Sequence, residues 1–266
     1  MSVATAELPG TDAEAEKVAL VFPGQGSQYV GMGKALYEAS SAARRVFQQA
    51  DEVLGFKLSQ LCFEGPAEEL EDTINAQPAI LTVSMACLAA IREKVESVGQ
   101  SWQPPRFVAG HSLGEYTALV AAGVLDFADA LRLVRERGAR TVVPLRISIA
   151  SHSPLMQQAA ARLAELIDRS PLREPQVPVV TNLAGQVRTS AEHIRAELES
   201  QMVAPVEWVG SVREMVANGV DTFVEVGPGQ VLSRLIKRIS GDVRAISLND
   251  AHIALLGQRA QPEIAK

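Results

Sequence analysis

The pentapeptide Gly110-His111-Ser112-Leu113-Gly114 holds a serine between glycines at the spacing of a nucleophile elbow. A serine hydroxyl becomes a useful nucleophile when a sharp strand-to-helix turn lifts it out of the sheet and a neighbouring base takes its proton. The flanking glycines let the backbone make that turn, and the amide of Leu113 then faces a developing oxyanion. A serine that merely caps a helix is the plainer reading of the same five residues, and the apolar run Phe107 to Ala109 before them favours the elbow. The bases available are His111, His152, His193 and His252. His111 is inside the elbow, His193 lies in a charged helical stretch and His252 in a polar tail. His152 follows the apolar run Ile147 to Ala150 and precedes Ser153-Pro154, which puts it at a strand's carboxyl end, where a base for Ser112 belongs.

Two further features bear on chemistry. Gly24-Gln25-Gly26-Ser27-Gln28 follows the apolar run Val18 to Phe22 and can bring a backbone amide to the same crevice. On a helical wheel Phe127, Ala130, Leu133 and Val134 fall within about 80° of Arg137, while Arg132 and Arg135 project about 140° to 160° away. An arginine on an apolar face calls for an anionic partner, from the protein or from a substrate.

These residues need elements to position them. Strands are predicted at Val18 to Phe22, Phe107 to Ala109, Thr141 to Ala150, Val177 to Thr181 and Thr222 to Val226. Helices are predicted at Met32 to Leu54, Ala67 to Glu71, Pro78 to Val98, Gly114 to Ala122, Asp126 to Arg137, Pro154 to Arg169, Ala191 to Gln201, Val209 to Asn218 and Val231 to Ile239. That alternation implies an α/β fold, a mostly parallel sheet covered on both faces with its site at the carboxyl ends of the strands. Residues 1–17 and 251–266 read as polar tails around a core over 18–250.

Composition narrows the class. The 266 residues are 47% hydrophobic and 21% charged, enough for one sizeable core. Cys62 and Cys87 lack any disulfide or zinc spacing, so no metal is expected and a reducing cytoplasm fits. Lys and Arg number 25 against 31 Asp and Glu, a net charge of -6, which disfavours nucleic acid and obliges any acidic partner to find a local basic patch. The uncharged run Thr73 to Ile91 reaches spanning length but carries six polar or proline residues, so it reads as a buried helix and no membrane role is expected.

Together, the segments VFPGQGSQYVGMG (Val21 to Gly33), GHSLGEYTALVAAGVLDFADALRLVRERG (Gly110 to Gly138), SHSPLM (Ser151 to Met156), PVEW (Pro205 to Trp208) and EVGPGQVLSRLIKRI (Glu225 to Ile239) resemble the malonyl-CoA:acyl carrier protein transacylases and the acyltransferase domains of polyketide synthases. The resemblance runs from about Val18 to Asp250. It implies an α/β-hydrolase-like core in which Ser112 carries the acyl group, His152 is its base, the amides of Gln25 and Leu113 form the oxyanion hole, Arg137 pairs with the malonyl carboxylate and Gln201 lies near the histidine. It implies malonyl-CoA and acyl carrier protein as partners, with the coenzyme A thioester as substrate and no cofactor, acting as a monomer in fatty acid or polyketide biosynthesis. Arg234, Lys237 and Arg238 share a helical face that can serve as a carrier-protein patch. One departure stands out: only 15 residues separate Arg137 from His152 (152 − 137), where the family holds several dozen more in a small ferredoxin-like subdomain that roofs the acyl pocket. Two rivals remain: an esterase or thioesterase using Ser112, Asp221 and His252, and a carrier-protein-binding remnant without activity.

Overall fold

The computed structural model describes residues 17–141, 156–250 and 252–253. The predicted strand at Thr141 to Ala150 and the start of the helix at Pro154 lie outside those residues, apart from Thr141 itself, which closes a helix.

The chain alternates strands and helices as its pattern predicts. In order they are β1 (Val18–Phe22), α1 (Lys34–Ala39), α2 (Ser41–Leu54), α3 (Leu58–Glu64), α4 (Ala67–Glu71), α5 (Thr73–Ser97), β2 (Phe107–Gly110), α6 (Gly114–Ala121) and α7 (Phe127–Thr141). Then come α8 (Gln157–Arg169), β3 (Val179–Val180), β4 (Val187–Arg188), α9 (Ala191–Gln201), α10 (Trp208–Ala217), β5 (Thr222–Val226), α11 (Val231–Ile239) and β6 (Arg244–Leu248). Among the described residues, six strands form one sheet in the order β4-β3-β2-β1-β5-β6, parallel except for the β3–β4 pair.

Both faces of that sheet are covered, and β1 shows how. Val18, Leu20 and Phe22 point into the larger core with Ile80, Leu81, Leu88 and Leu119, whereas Ala19 and Val21 point into a second cluster with Trp208, Val212, Leu232 and Ile236. The helix α5 is long and apolar enough to cross a membrane, but 78% of that window is buried inside the protein, which makes it the central helix of the larger core. Cys62 and Cys87 are both buried with free thiols.

The helix expected to end at Arg137 runs on to Thr141, and three other predicted boundaries move for a local reason. The helix expected over Met32 to Leu54 is two helices, because Ser40 sits extended at φ −122° and its Oγ accepts the Ala43 N–H, starting α2 afresh. The helix expected from Pro78 begins at Thr73, where the Asp72 carbonyl accepts from Asn75 and Ala76, so the proline is inside the helix. The strand expected over Val177 to Thr181 is ladder-paired only at Val179–Val180.

At the carboxyl ends of the strands the loops interlock. Asp250, after β6, accepts from Tyr29 Oη and from the Gly33 amide, both at 2.6 Å. Gly227, after β5, lies so close to the β1 turn that a Cβ there would sit 2.3 Å from Ser84 Oγ and 2.9 Å from Pro23 Cγ. Glu225, fully buried in β5, spends its carboxylate on the start of α11: Oε1 accepts the Leu232 N–H at 2.9 Å and Oε2 the Ser233 N–H at 2.8 Å. Charge-assisted hydrogen bonds of this kind contribute about 1.5 to 3 kcal/mol. Glu225→Ala is therefore expected to lower unfolding stability by about 1.5 to 3 kcal/mol in a urea titration; an unchanged midpoint and slope would show that α11 does not depend on this cap.

Candidate active site

Ser112 adopts φ +53°, and among the described residues it is the one non-glycine residue with a positive φ. The turn that imposes this leaves no room for side chains around it. A Cβ on Gly110 would lie 1.9 Å from the Gly114 carbonyl, and one on Gly114 would lie 2.1 Å from Phe22 O. The second glycine turn is pressed against the same place, since a Cβ on Gly24 would meet His111 O at 2.5 Å. The backbone beside Gln25 and the elbow are thus in contact, as the strand-end placement of both turns predicts. His111 is turned aside, its ring packed edge-on to Trp208 at 5.6 Å.

Side chains from two other elements hold the elbow. Asn182, two residues beyond the carboxyl end of β3, accepts the Ser112 N–H through Oδ1 at 2.6 Å and donates from Nδ2 to Gly110 O at 2.6 Å. Gln201, at the end of α9, donates from Nε2 to Ser112 O at 3.2 Å and to Glu115 Oε2 at 2.6 Å. Glu115 lies one turn beyond Ser112 on α6, is 1% exposed, and its Oε2 also accepts the Asn182 N–H at 3.3 Å.

Arg137 comes in from α7. The wheel places Arg137 correctly: it is 5% exposed beside buried Ala130, Leu133 and Val134, and the Arg132 side chain is 61% exposed, whereas Arg135, expected on the same outer side, is half-buried and donates from Nη1 to Leu54 O at 3.0 Å. Its Nη1 donates to Gln77 Oε1 at 3.1 Å and its Nη2 to Ser112 Oγ at 3.2 Å, so a buried cation touches the hydroxyl. Burial lowers the guanidinium pKa, opposed by the neighbouring Tyr116 and Glu115. The helix can approach this closely because the next residue is Gly138, where a Cβ would lie 2.6 Å from Thr73 O and 2.8 Å from Ile74 Cα. Thr73 Oγ1 in turn accepts from Gln25 Nε2 at 3.3 Å.

His152, the expected base, lies outside the described residues. Ser112, Arg137 and Gln201 are brought together, with Gln25 and Leu113 on the two turns around them. The α11 trio is exposed, with one difference: Lys237 Nζ donates to Val243 O at 2.6 Å, leaving Arg234 and Arg238 as the outward cations. The triad of the esterase rival does not assemble. Asp221 precedes β5 at the amino ends of the parallel strands, beside Lys17 at 3.9 Å, whereas Ser112 follows the carboxyl end of β2. His252 Nδ1 lies 3.2 Å from Ser247 O. His193 is exposed on α9.

Gln77, Glu115 and Asn182 were not among the candidates read from sequence. A lone acid three residues after the serine in an otherwise apolar helix is a usable signal for Glu115; Asn182 needs the pairing of β2 with β3.

Comparisons with known proteins identify the family. Residues 19–144 match the acyl transferase domain family model. A malonyl CoA-acyl carrier protein transacylase of Bacillus subtilis is 37% identical over 304 aligned positions, covering 88% of this chain and 94% of that one. The chain belongs to the malonyl CoA-acyl carrier protein transacylase family. The Escherichia coli member is 35% identical, over 87% of this chain and 96% of its own. Among solved structures, an acyl carrier protein S-malonyltransferase of Vibrio cholerae superposes with a TM-score of 0.80 at 32% identity, over 88% of this chain and 97% of that chain. A malonyl-transacylase in complex with its type II polyketide synthase acyl carrier protein gives 0.82 at 32% identity, over 92% and 100%. Since 88% of 266 residues is about 234, roughly 70 of the 304 positions aligned with the Bacillus relative have no counterpart here (304 − 234).

Burial pushes the Glu115 carboxyl up from its ordinary 4.5 to about 8; Glu197 adds to the rise, while the hydrogen bonds from Gln201 and Asn182 and the charge of Arg137 oppose it. The unfolded chain releases this proton first, so the group weakens the fold increasingly as pH climbs from 4.5 towards 8, and fully above that. Glu115→Gln removes the titration. Its melting temperature relative to the parent is expected to rise between pH 5 and pH 8.5; a pH-independent difference would contradict a buried, proton-bearing Glu115.

Proposed function

We propose that this chain moves malonyl from malonyl-CoA to the phosphopantetheine thiol of an acyl carrier protein through a malonyl-Ser112 ester. The observation that carries this is the 3.2 Å contact between the buried Arg137 guanidinium and Ser112 Oγ. A fixed cation beside the nucleophile suits an acyl group with its own carboxylate, and a paired arginine–carboxylate contact is charge-assisted and directional. Membership in the transacylase family supports the same choice.

In this reading the Ser112 hydroxyl attacks the thioester carbonyl and passes its proton to His152. The amides of Gln25 and Leu113 receive the oxyanion charge, and coenzyme A leaves as a thiol on taking that proton. The carrier thiol then gives its proton to His152 and attacks the ester, and Ser112 recovers its hydroxyl as the malonyl group departs. No cofactor enters either half. Arg234 and Arg238 present the cations for an acidic carrier, and the reaction runs in the cytoplasm on a monomer.

Mixing with malonyl-CoA is expected to add one malonyl group to the parent chain and none to Ser112→Ala, read by intact mass. Equal labelling of both would remove Ser112 from its role. Arg137→Ala is expected to lower the preference for malonyl over acetyl by about ten-fold or more, on the scale of one charge-assisted contact. An unchanged ratio would make Arg137 purely structural.

The short stretch between Arg137 and His152 supports a second expectation. A roofed site excludes water and aligns the acceptor thiol. Free malonate release relative to malonyl-carrier formation should therefore fall when a relative's subdomain is grafted between Gly138 and Ala139. Equal partitioning would mean that the shorter chain already shields its ester.

A further inference from the structure

We propose that Glu115 is a positioning residue that sets the Ser112 nucleophile by holding Asn182 and Gln201 on a single carboxyl oxygen. The proposal rests on the reading of Ser112 as the acylated nucleophile and deepens it.

Both backbone polar groups of the strained residue meet side-chain amides: its N–H donates to Asn182 Oδ1 at 2.6 Å, and its C=O, which also accepts the Glu115 N–H at 3.1 Å, accepts from Gln201 Nε2 at 3.2 Å. Those amides come from separate elements, the loop after β3 and the end of α9, and neither is covalently near the elbow. Glu115 Oε2 joins them, accepting from Gln201 Nε2 at 2.6 Å and from the Asn182 backbone N–H at 3.3 Å. It does so from within α6, the helix that the elbow itself starts, so one side chain fixes the elbow against both of its supports. The charged groups facing it are Arg137 from α7 and Glu197 from α9. Glu197 is occupied in turn, its Oε1 accepting from Arg188 Nε at 2.9 Å and Nη2 at 2.5 Å, which ties α9 to the edge strand β4. No step of the transfer needs Glu115 as acid, base or substrate contact. Its contribution is the direction in which Ser112 Oγ points, and a displacement of about 1 Å in such a group can lower a rate by about 100-fold.

The test measures Ser112 acylation by malonyl-CoA in single turnovers, and sulfonylation of the same serine by phenylmethylsulfonyl fluoride, in which Oγ bonds to sulfur and fluoride leaves. Glu115→Ala removes the acceptor, Glu115→Asp withdraws it by one methylene, and Glu115→Gln keeps a carbonyl oxygen at the same reach. Glu115→Ala and Glu115→Asp are expected to lose about ten-fold or more in both rates, with KM for malonyl-CoA within about two-fold of the parent, and Glu115→Gln to restore most of the loss. If Glu115→Ala does not fold, Glu115→Asp carries the comparison. Parental rates in either folded variant overturn the proposal. So does a Glu115→Gln variant as slow as Glu115→Asp, because the shared acceptor would then not be what matters. A parent chain that reacts with the sulfonyl fluoride but not with malonyl-CoA would instead overturn the malonyl reading, and the sulfonylation rates of the variants would still decide the role of Glu115.

Discussion

Everything near the site follows from placing a residue with a Cβ at φ +53°. A left-handed conformation disfavours an L-residue by about 1 to 2 kcal/mol. The Asn182 and Gln201 hydrogen bonds to the Ser112 backbone, at about 0.5 to 1.5 kcal/mol each, are of the size needed to hold it there. The same turn brings the start of α6 down onto the end of β1, and Gly110, Gly114 and Gly24 are where backbone touches backbone. A methyl group at any of the three would push the elbow away from the start of α6, the start of α6 away from the end of β1, or the turn after β1 away from the elbow.

A second constraint is electrostatic. Arg137 is buried on the apolar face of α7, where an isolated charge is costly, and it is accommodated by Gln77 Oε1 and Ser112 Oγ on its two terminal nitrogens. The acids nearby are arranged differently. Glu197 shares its charge with Arg188, and Glu115 is pushed by burial towards its neutral form. An ionised carboxylate beside Ser112 would itself pair with the guanidinium, and the burial of Glu115 weakens that pairing near neutral pH.

The parts legible in the sequence are those set by neighbours along the chain. Val18–Phe22, Ala67–Glu71, Thr222–Val226 and Val231–Ile239 fall where pattern and flanking turns put them, and the elbow and Arg137's inward face follow from spacing alone. The misses have physical causes. The helix α3 is only seven residues long, too short to show a period, and β4 has two residues. Strand β6, Arg244–Leu248, carries arginine and serine at positions that a central strand would fill with apolar groups, because it lies at the sheet edge. Starting α5 at its proline hid Thr73 and Gln77, the two residues of that helix that reach the site. Asn182 meets the elbow through a hydrogen bond to a residue 70 positions away, brought close by the pairing of β2 with β3, which no local window contains.

The contact at Gly138 also shapes how this site can change over generations. With Thr73 O only 2.6 Å from where a β-carbon would go, substitutions at residue 138 displace α7 against α5 and carry Arg137 with it. Mutational routes to a different acyl group therefore cannot begin by nudging the helix backbone. They begin at the side chains, at Arg137 itself or at Gln77, each of which can be exchanged with the two helices still in register. On the role proposed for Arg137, a lineage drifting towards uncharged acyl groups loses the arginine first and keeps the glycine.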